Sequence, residues 1–436
     1  MELHPISGIP GYIAMVAKVL AVFGGVLLVV AYTTLGERKV AAWIQDRIGP
    51  NRVGPWGLLQ PIADGLKNIL KEETLPAKSA KVYFLLGPMI SLFPALVTFA
   101  VIPFAAPLPT PWGVVDMIVA DIPIGILYIM ALSSIGVYGL VVGGWASNNK
   151  YALLGGMRAS AQMVSYEVAM GLAVVAILMM TGNVTLTQVV WQQQQLGMWF
   201  ALPLSLAFIL FIISAFAETN RLPFDMPESE SELVGGFHTE YSGMKYAMYP
   251  MAEYAHMTTA SALMATLFFG GWDLPGSWDN AFWYDGRLIQ SCTFAVGAAA
   301  TCLPGTEVLA VPALWKTALT FAGFFAKVVF FLLVYVWVRW TLPRFRYDQV
   351  MALGWKVLLP TALAYIMLLA VSILVLDELG MTWGFWYGLV LTAVSGVATG
   401  AFLYFVDRGH TITGAAAGES QRTEIKTIPA GIAAGD

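Results

Sequence analysis

The 436-residue chain is 58% hydrophobic and 11% charged, with a formal net charge of −4 and a mean hydropathy of +0.71. Soluble domains carry roughly 25% charged residues, so these figures point to a polytopic membrane protein without a basic surface for nucleic acid. Two cysteines cannot hold an iron–sulfur cluster by four thiolates, and neither a dinucleotide-binding glycine fingerprint nor a Walker A sequence is present, so the chain has little equipment of its own for electron transfer or nucleotide hydrolysis.

A membrane-spanning helix needs about 20 mostly apolar residues, and backbone groups in hydrocarbon must bond internally. Nine runs meet that description: 12–35, 84–105, 118–143, 160–181, 200–217, 252–272, 317–338, 357–376 and 384–405. The expected architecture is therefore an all-α bundle, one membrane domain over 1–406, followed by a Gly- and Ala-rich disordered tail over 407–436. Lys and Arg concentrate in alternate loops, with eight in 36–82 and none in 106–117, 182–199 or 377–383. By the positive-inside rule the N-terminus is outside and the C-terminus cytoplasmic.

The first cytoplasmic loop, 36–82, contains LLQPIADGLKNILKEE, in which Ile62, Leu66, Ile69 and Leu70 recur at i, i+4, i+7, i+8. Asp64, Lys67, Asn68 and Lys71 fall opposite, which predicts an amphipathic helix lying in the membrane interface. Gly-Pro-Asn at 49–51 and Gly-Pro at 54–55 mark turns before it. In the fourth run Glu167 lies about two turns inside the apolar stretch, where an ionisable group is a functional candidate by default.

Between the fifth and sixth runs, 218–253 holds Glu218, Asp225, Glu228, Glu230, Glu232, Glu240 and Glu253, offset only by Arg221 and Lys245. Carboxylates against hydrocarbon must be hydrated, paired or protonated. Adjacent carboxylates repel, so one of Glu228, Glu230 and Glu232 is expected to titrate high, and the three are expected to compensate for one another. Ser214 and Glu218 stand at i, i+4, while Glu253 and His256 open the sixth run. Glu167, Glu218 and Glu253 thus suggest a trail from mid-membrane to the acidic loop. The outside loop 273–316 carries Cys292 and Cys302, which either bridge or remain two free thiols.

The stretches GERKVAAWIQDRIGPNRVGPWGLLQPIADGLK and PFDMPESESELVGGFHTEYSGMKYAMYPMAEY, with GWASNNKYALLGGMRASAQMVSYE and FAETNRLPFD, carry a family resemblance. They resemble the signature stretches of the quinone-site membrane subunit (the H subunit) of the proton-pumping NADH–quinone oxidoreductase, respiratory complex I. The resemblance runs from the first helix to about residue 350, and the ninth helix and long outside loop depart from the family's eight-helix pattern. It implies a subunit without catalytic residues of its own. Its partners would be other membrane-arm subunits and the quinone-site and iron–sulfur subunits of the hydrophilic arm. It would bind quinone together with those partners and hold no flavin, cluster or metal itself.

By resemblance Glu37, Arg38, Arg47, Arg52 and Asp64 line or shape the quinone chamber. Glu218, Asp225, Glu228, Glu230, Glu232 and Glu240 form the acidic stretch, Glu167 and Glu253 carry protons or their electrostatic signal onward, and Arg158 and Arg221 are counter-charges. Two alternatives stand beside this one: the homologous component of a membrane-bound hydrogenase, and a stand-alone ion transporter, which would more readily show internal repeats.

Overall fold

The computed structural model describes residues 9–110, 113–274, 292–293, 301–302 and 314–407. Each of the nine apolar runs forms a helix. In chain order these and the shorter elements are α1 (Ile9–Ile44), α2 (Gln60–Leu70), α3 (Lys81–Val97), α4 (Gly125–Ala146), α5 (Lys150–Thr181), α6 (Leu186–Leu196) and α7 (Ser205–Glu218). There follow α8 (Glu230–Leu233), α9 (Gly243–Phe268), α10 (Leu314–Thr341), α11 (Tyr347–Ala352), α12 (Leu359–Glu378) and α13 (Phe385–Asp407). A π-helical stretch, Leu353–Leu358, joins α11 to α12. Outside the helices, β1 (Leu108–Thr110) pairs antiparallel with β2 (Gly113–Val115), and β3 (Cys292–Thr293) with β4 (Thr301–Cys302).

Seven described helices are long and apolar enough to cross a membrane. Two of the nine runs fall outside that set for different reasons. α7 has 14 residues, about 21 Å of helix against roughly 30 Å of hydrocarbon. α9 has 26 residues, but Glu253, His256, Thr258, Thr259 and Thr266 make it polar for a span. Burial compensates over its second half: from Met257 to Phe268 every residue of α9 is buried, so that part of the helix faces protein on all sides.

Helix ends differ from the apolar boundaries where polar residues prolong the backbone. α1 runs to Ile44, which places Glu37 and Arg38 on a helix rather than in a loop. α5 begins at Lys150, where the Asn149 side chain accepts a hydrogen bond from the Tyr151 amide at 2.9 Å. α9 begins at Gly243, so Glu253 lies well inside a helix that hydropathy starts near 252. Hydropathy marks the hydrocarbon, whereas capping and hydrogen bonding mark the helix.

The expected amphipathic helix is α2, and its Ile62, Leu66, Ile69 and Leu70 stripe is exposed. Short α7 is extended by the turns at 199–204, whose backbone α13 seals: Ser395 Oγ donates to the Pro203 carbonyl at 2.5 Å, and Ser205 and Thr399 hydroxyls meet at 3.0 Å. The register of β3 and β4 makes Cys292 and Cys302 Cα partners; their thiols, most of the outside loop and the tail lie outside the described residues.

α3 and α4 approach closely through small residues. A Cβ on Gly139 would stand 2.6 Å from the Ser91 amide nitrogen and 2.7 Å from the Gly87 carbonyl oxygen, both backbone atoms that cannot swing aside. Gly139→Ala is therefore expected to lower stability by about 1–3 kcal/mol through overpacking. Gly24→Ala, where a Cβ meets nothing within 4 Å, should be neutral. Thermal denaturation of the solubilised complex checks both, and an unchanged midpoint for Gly139→Ala would refute the crossing argument.

Candidate functional site

The chain after α7 is bound tightly to its neighbours. Gln162 of α5 is fully buried, and its Nε2 donates to the carbonyls of Ala217 at 2.8 Å and Phe224 at 2.7 Å. Gly236, at φ +61°, lets the loop fold back so closely that a Cβ there would stand 1.8 Å from the Pro227 carbonyl oxygen. Pro88 inside α3 has no N–H, which frees the Phe84 carbonyl four residues earlier. Tyr241 takes that acceptor at 3.0 Å and stacks on the Phe84 ring at 4.0 Å, fixing the far end of the acidic segment.

These ties bring charges from five segments into one buried cluster. Glu37 of α1 accepts a hydrogen bond from Tyr254 of α9 at 2.5 Å and is paired with Arg339 of α10. Arg221 lies 3.9 Å from Glu37 and 3.5 Å from Glu253, with its guanidinium 4.2 Å from the centre of the Tyr254 ring. Glu228 neighbours Glu253 and Arg221 and meets His238 at 3.3 Å. Asp225 pairs with Arg344, just beyond α10, at 2.7 Å. Glu37 and Arg221 expose under a tenth of their side chains.

Balanced charge explains how so polar a group is tolerated away from water. Burial works against the Arg221 cation, but Tyr254, Glu253, Glu37 and Glu228 outweigh it and hold the guanidinium above its ordinary range. Burial also pushes Glu228 up, but the hydrogen bond and charge of His238 and the charge of Arg221 prevail, so its carboxyl lies below the ordinary value. Asp225 goes the other way. Burial and the Glu228 charge push it up to about 6 against the opposing pull of Arg344. The elevated carboxyl expected among Glu228, Glu230 and Glu232 is thus not Glu228, and Asp225 is one that is elevated.

A second group lies deeper. Adjacent Ser133 and Ser134 on α4 donate to different carboxylates, Glu218 at the end of α7 and Glu167 on α5. Among the described residues no hydrogen bond or ion pair joins this group to the Arg221 cluster. The trail from Glu167 through Glu218 to Glu253 therefore resolves into two clusters, separated along the chain by the short turn from Glu218 to Arg221.

The remaining predicted residues stand nearer the surface. Arg38 pairs with Asp64 of α2 at 2.6 Å. Arg47 and Arg52 are exposed, the Arg47 side chain donating to Gln45 Oε1 at 2.7 Å. Arg158 pairs with Glu232 at 2.6 Å, Glu240 accepts from Asn149 at 2.6 Å, and Glu230 is exposed. Glu228, Glu230 and Glu232 accordingly do not share a side: the first points into the cluster and the others outward. Arg339, Arg344, His238 and Tyr254 were not among the residues singled out from the sequence. Arg339 and Arg344 register there only as positive-inside charges. Arg339 lies in the last turn of an apolar helix, where an anchoring cation is equally expected.

The NADH dehydrogenase family profile matches residues 17–370. The H 1 subunit of the NADH-quinone oxidoreductase of Cytophaga hutchinsonii is 46% identical over 356 residues, covering 82% of this chain and 95% of that protein. The H 1 subunit of Geobacter sulfurreducens is 48% identical over 373 residues, covering 83% and 95%. The H subunit of Rhodospirillum centenum is 45% identical over 372 residues, covering 85% and 97%. With the profile matching most of the chain and relatives near 46% identity covering more than four-fifths of it, this multi-pass helical bundle belongs to the H-subunit family of the NADH-quinone oxidoreductases.

Proposed function

We infer that this chain helps to form the chamber through which a quinone reaches the hydrophilic arm, and that its buried charges couple quinone reduction to proton translocation. The observation that carries the reading is Glu37. It stands on α1 next to Arg38, whose pair with Asp64 faces the open side near α2, and it is also bonded into the Arg221 cluster. A change of charge at the open side therefore has a short electrostatic route inward. Exposed Trp43, Ile48, Trp56 and Ile62 beside Arg38 and Arg47 give an apolar surface for an isoprenoid chain and cations near a quinone carbonyl. Electrons and redox cofactors come from partner subunits, and the cytoplasmic placement of the acidic segment belongs to the same proposal.

Each quinone reduced to quinol takes up two protons, and coupled carboxyls respond by changing protonation together. Glu218→Gln removes one carrier and leaves the fold's hydrogen bond from Ser133 possible. Quinone reductase and proton pumping in vesicles containing the assembled complex should both fall roughly a hundredfold or more, the low end for a positioned proton carrier. NADH oxidation by an artificial acceptor, which reads the hydrophilic arm, should persist. Full pumping by this variant would remove the coupling role.

A further inference from the structure

A cavity of about 30 Å³ lies between α3, α4, α5, α7 and α9. Most of its wall is apolar, from Ile126, Ile129, Met170, Phe211 and Leu263, but Glu218, Ser133, Thr219, His256, Thr98 and Thr259 also face it. A buried water needs roughly 10–15 Å³ by this measure and two to four polar partners, so the site has room for about two waters. Thr98 and Thr259 hydroxyls already meet at 3.3 Å.

His256 is the unusual member. An imidazole always has both a donor and an acceptor or two donors to satisfy. Among the described residues no hydrogen bond reaches it, and its ring is packed against Gly136, where a Cβ would stand 3.2 Å from Nε2. Gly136 lies one helical turn after Ser133, the residue that bonds Glu218. Carboxyl and imidazole thus rest against the same stretch of α4, one turn apart, and open into one cavity. Polar groups facing an apolar interior are nearly always partnered, and the cavity leaves room for water to complete the imidazole's bonding.

We propose that His256 is a further proton-carrying residue of this protein, exchanging a proton with Glu218 through water in the cavity. This rests on the coupling reading above. In the step, the Glu218 carboxylic acid releases its proton to water, which passes one to the imidazole nitrogen. A carboxylate and an imidazolium result, and no electron moves. Glu218 of α7 is the ionisable group that shares the cavity with His256; Glu167 of α5 stands on the other serine, Ser134. α4 offers Ser133 and Gly136, and the end of α3 offers Thr98, none of them charged. On α9 itself Glu253 lies one turn away but belongs to the Arg221 cluster.

The test uses the assembled complex in sealed vesicles, with abundance checked by native gel. His256→Asn keeps a polar side chain and removes the titratable ring. It is expected to slow proton pumping by roughly a hundredfold and to change the pH profile of pumping, which a packing defect alone would not do. His256→Gln is read in the same way and serves if the Asn variant does not assemble. Redox-induced infrared difference spectra with ring-labelled histidine should show an imidazole band in the unmodified complex that the His256 variant lacks. If Glu218→Gln stops pumping while both His256 variants pump with an unaltered pH profile and unaltered histidine bands, the proposal is overturned and the coupling reading stands. If Glu218→Gln also pumps normally, the coupling reading falls first.

Discussion

Arg221→Met is expected to abolish quinone reductase activity and to reduce the assembled complex severely. The guanidinium is shared between Glu37 and Glu253, lies over the Tyr254 ring and feels the charge of Glu228. Removing one partner of a buried ion pair costs about 3–5 kcal/mol, because the remaining charge has no compensation. Here several carboxylates lose the same partner. They can escape only by taking up protons, which removes the charges the cluster exists to hold. Arg221→Lys should rescue assembly only in part, since an ammonium lacks the planar fork that reaches two carboxylates and stacks on an aromatic ring. Adding Glu253→Gln to Arg221→Met should recover some assembly by deleting one orphaned charge. Native-gel abundance and quinone reductase activity measure each step. An Arg221→Met complex with full abundance and activity would show that the cluster is incidental.

The second large effect concerns Glu228, and it reverses the compensation that the sequence suggests. Glu228 pairs with His238 and approaches Arg221 and Glu253, whereas Glu232 pairs with Arg158 at a half-exposed position and Glu230 is exposed. A hydrogen bond to a charged group contributes about 1.5–3 kcal/mol, so Glu228→Gln alone should lower coupled activity by about tenfold or more. Exposed pairs contribute about 0.2–1 kcal/mol, so Glu232→Gln should have a small effect and Glu230→Gln none. Proton pumping by the three single variants, measured side by side, decides the matter. Equal and modest losses from all three would restore the picture of interchangeable neighbours.

The helical bundle was readable because hydrocarbon imposes one rule along the whole chain. Nine apolar runs gave nine helices, and the spacing of Ile62, Leu66, Ile69 and Leu70 gave α2. Ionisable residues inside those runs were legible for the same reason: Glu167 and Glu218 stand out against their apolar neighbours. Partners were harder. Arg339 reaches Glu37 across 302 positions, and nothing local in VYVWVRW distinguishes that role from anchoring. Glu228 and Glu232 look alike in PESESE, but a tight turn after Pro227 and the fold at Gly236 send their side chains apart. Likewise His256 reads as an ordinary polar residue until Gly136 and Ser133 are seen beside it.

The pairing of Glu37 with Arg339 also bears on how the chain enters the membrane. A ribosome releases α1 long before α10 exists, and the intervening residues include five of the nine apolar runs. Throughout that interval the Glu37 carboxyl lacks one of its cations, and before Arg221 emerges it lacks both. An isolated carboxylate is not stable in hydrocarbon, so this end of α1 must stay at the water's edge during synthesis. Glu37 therefore meets its full set of partners only after the seventh apolar run has been made. Biogenesis of this protein is completed at its C-terminal third, however early its N-terminal third is threaded.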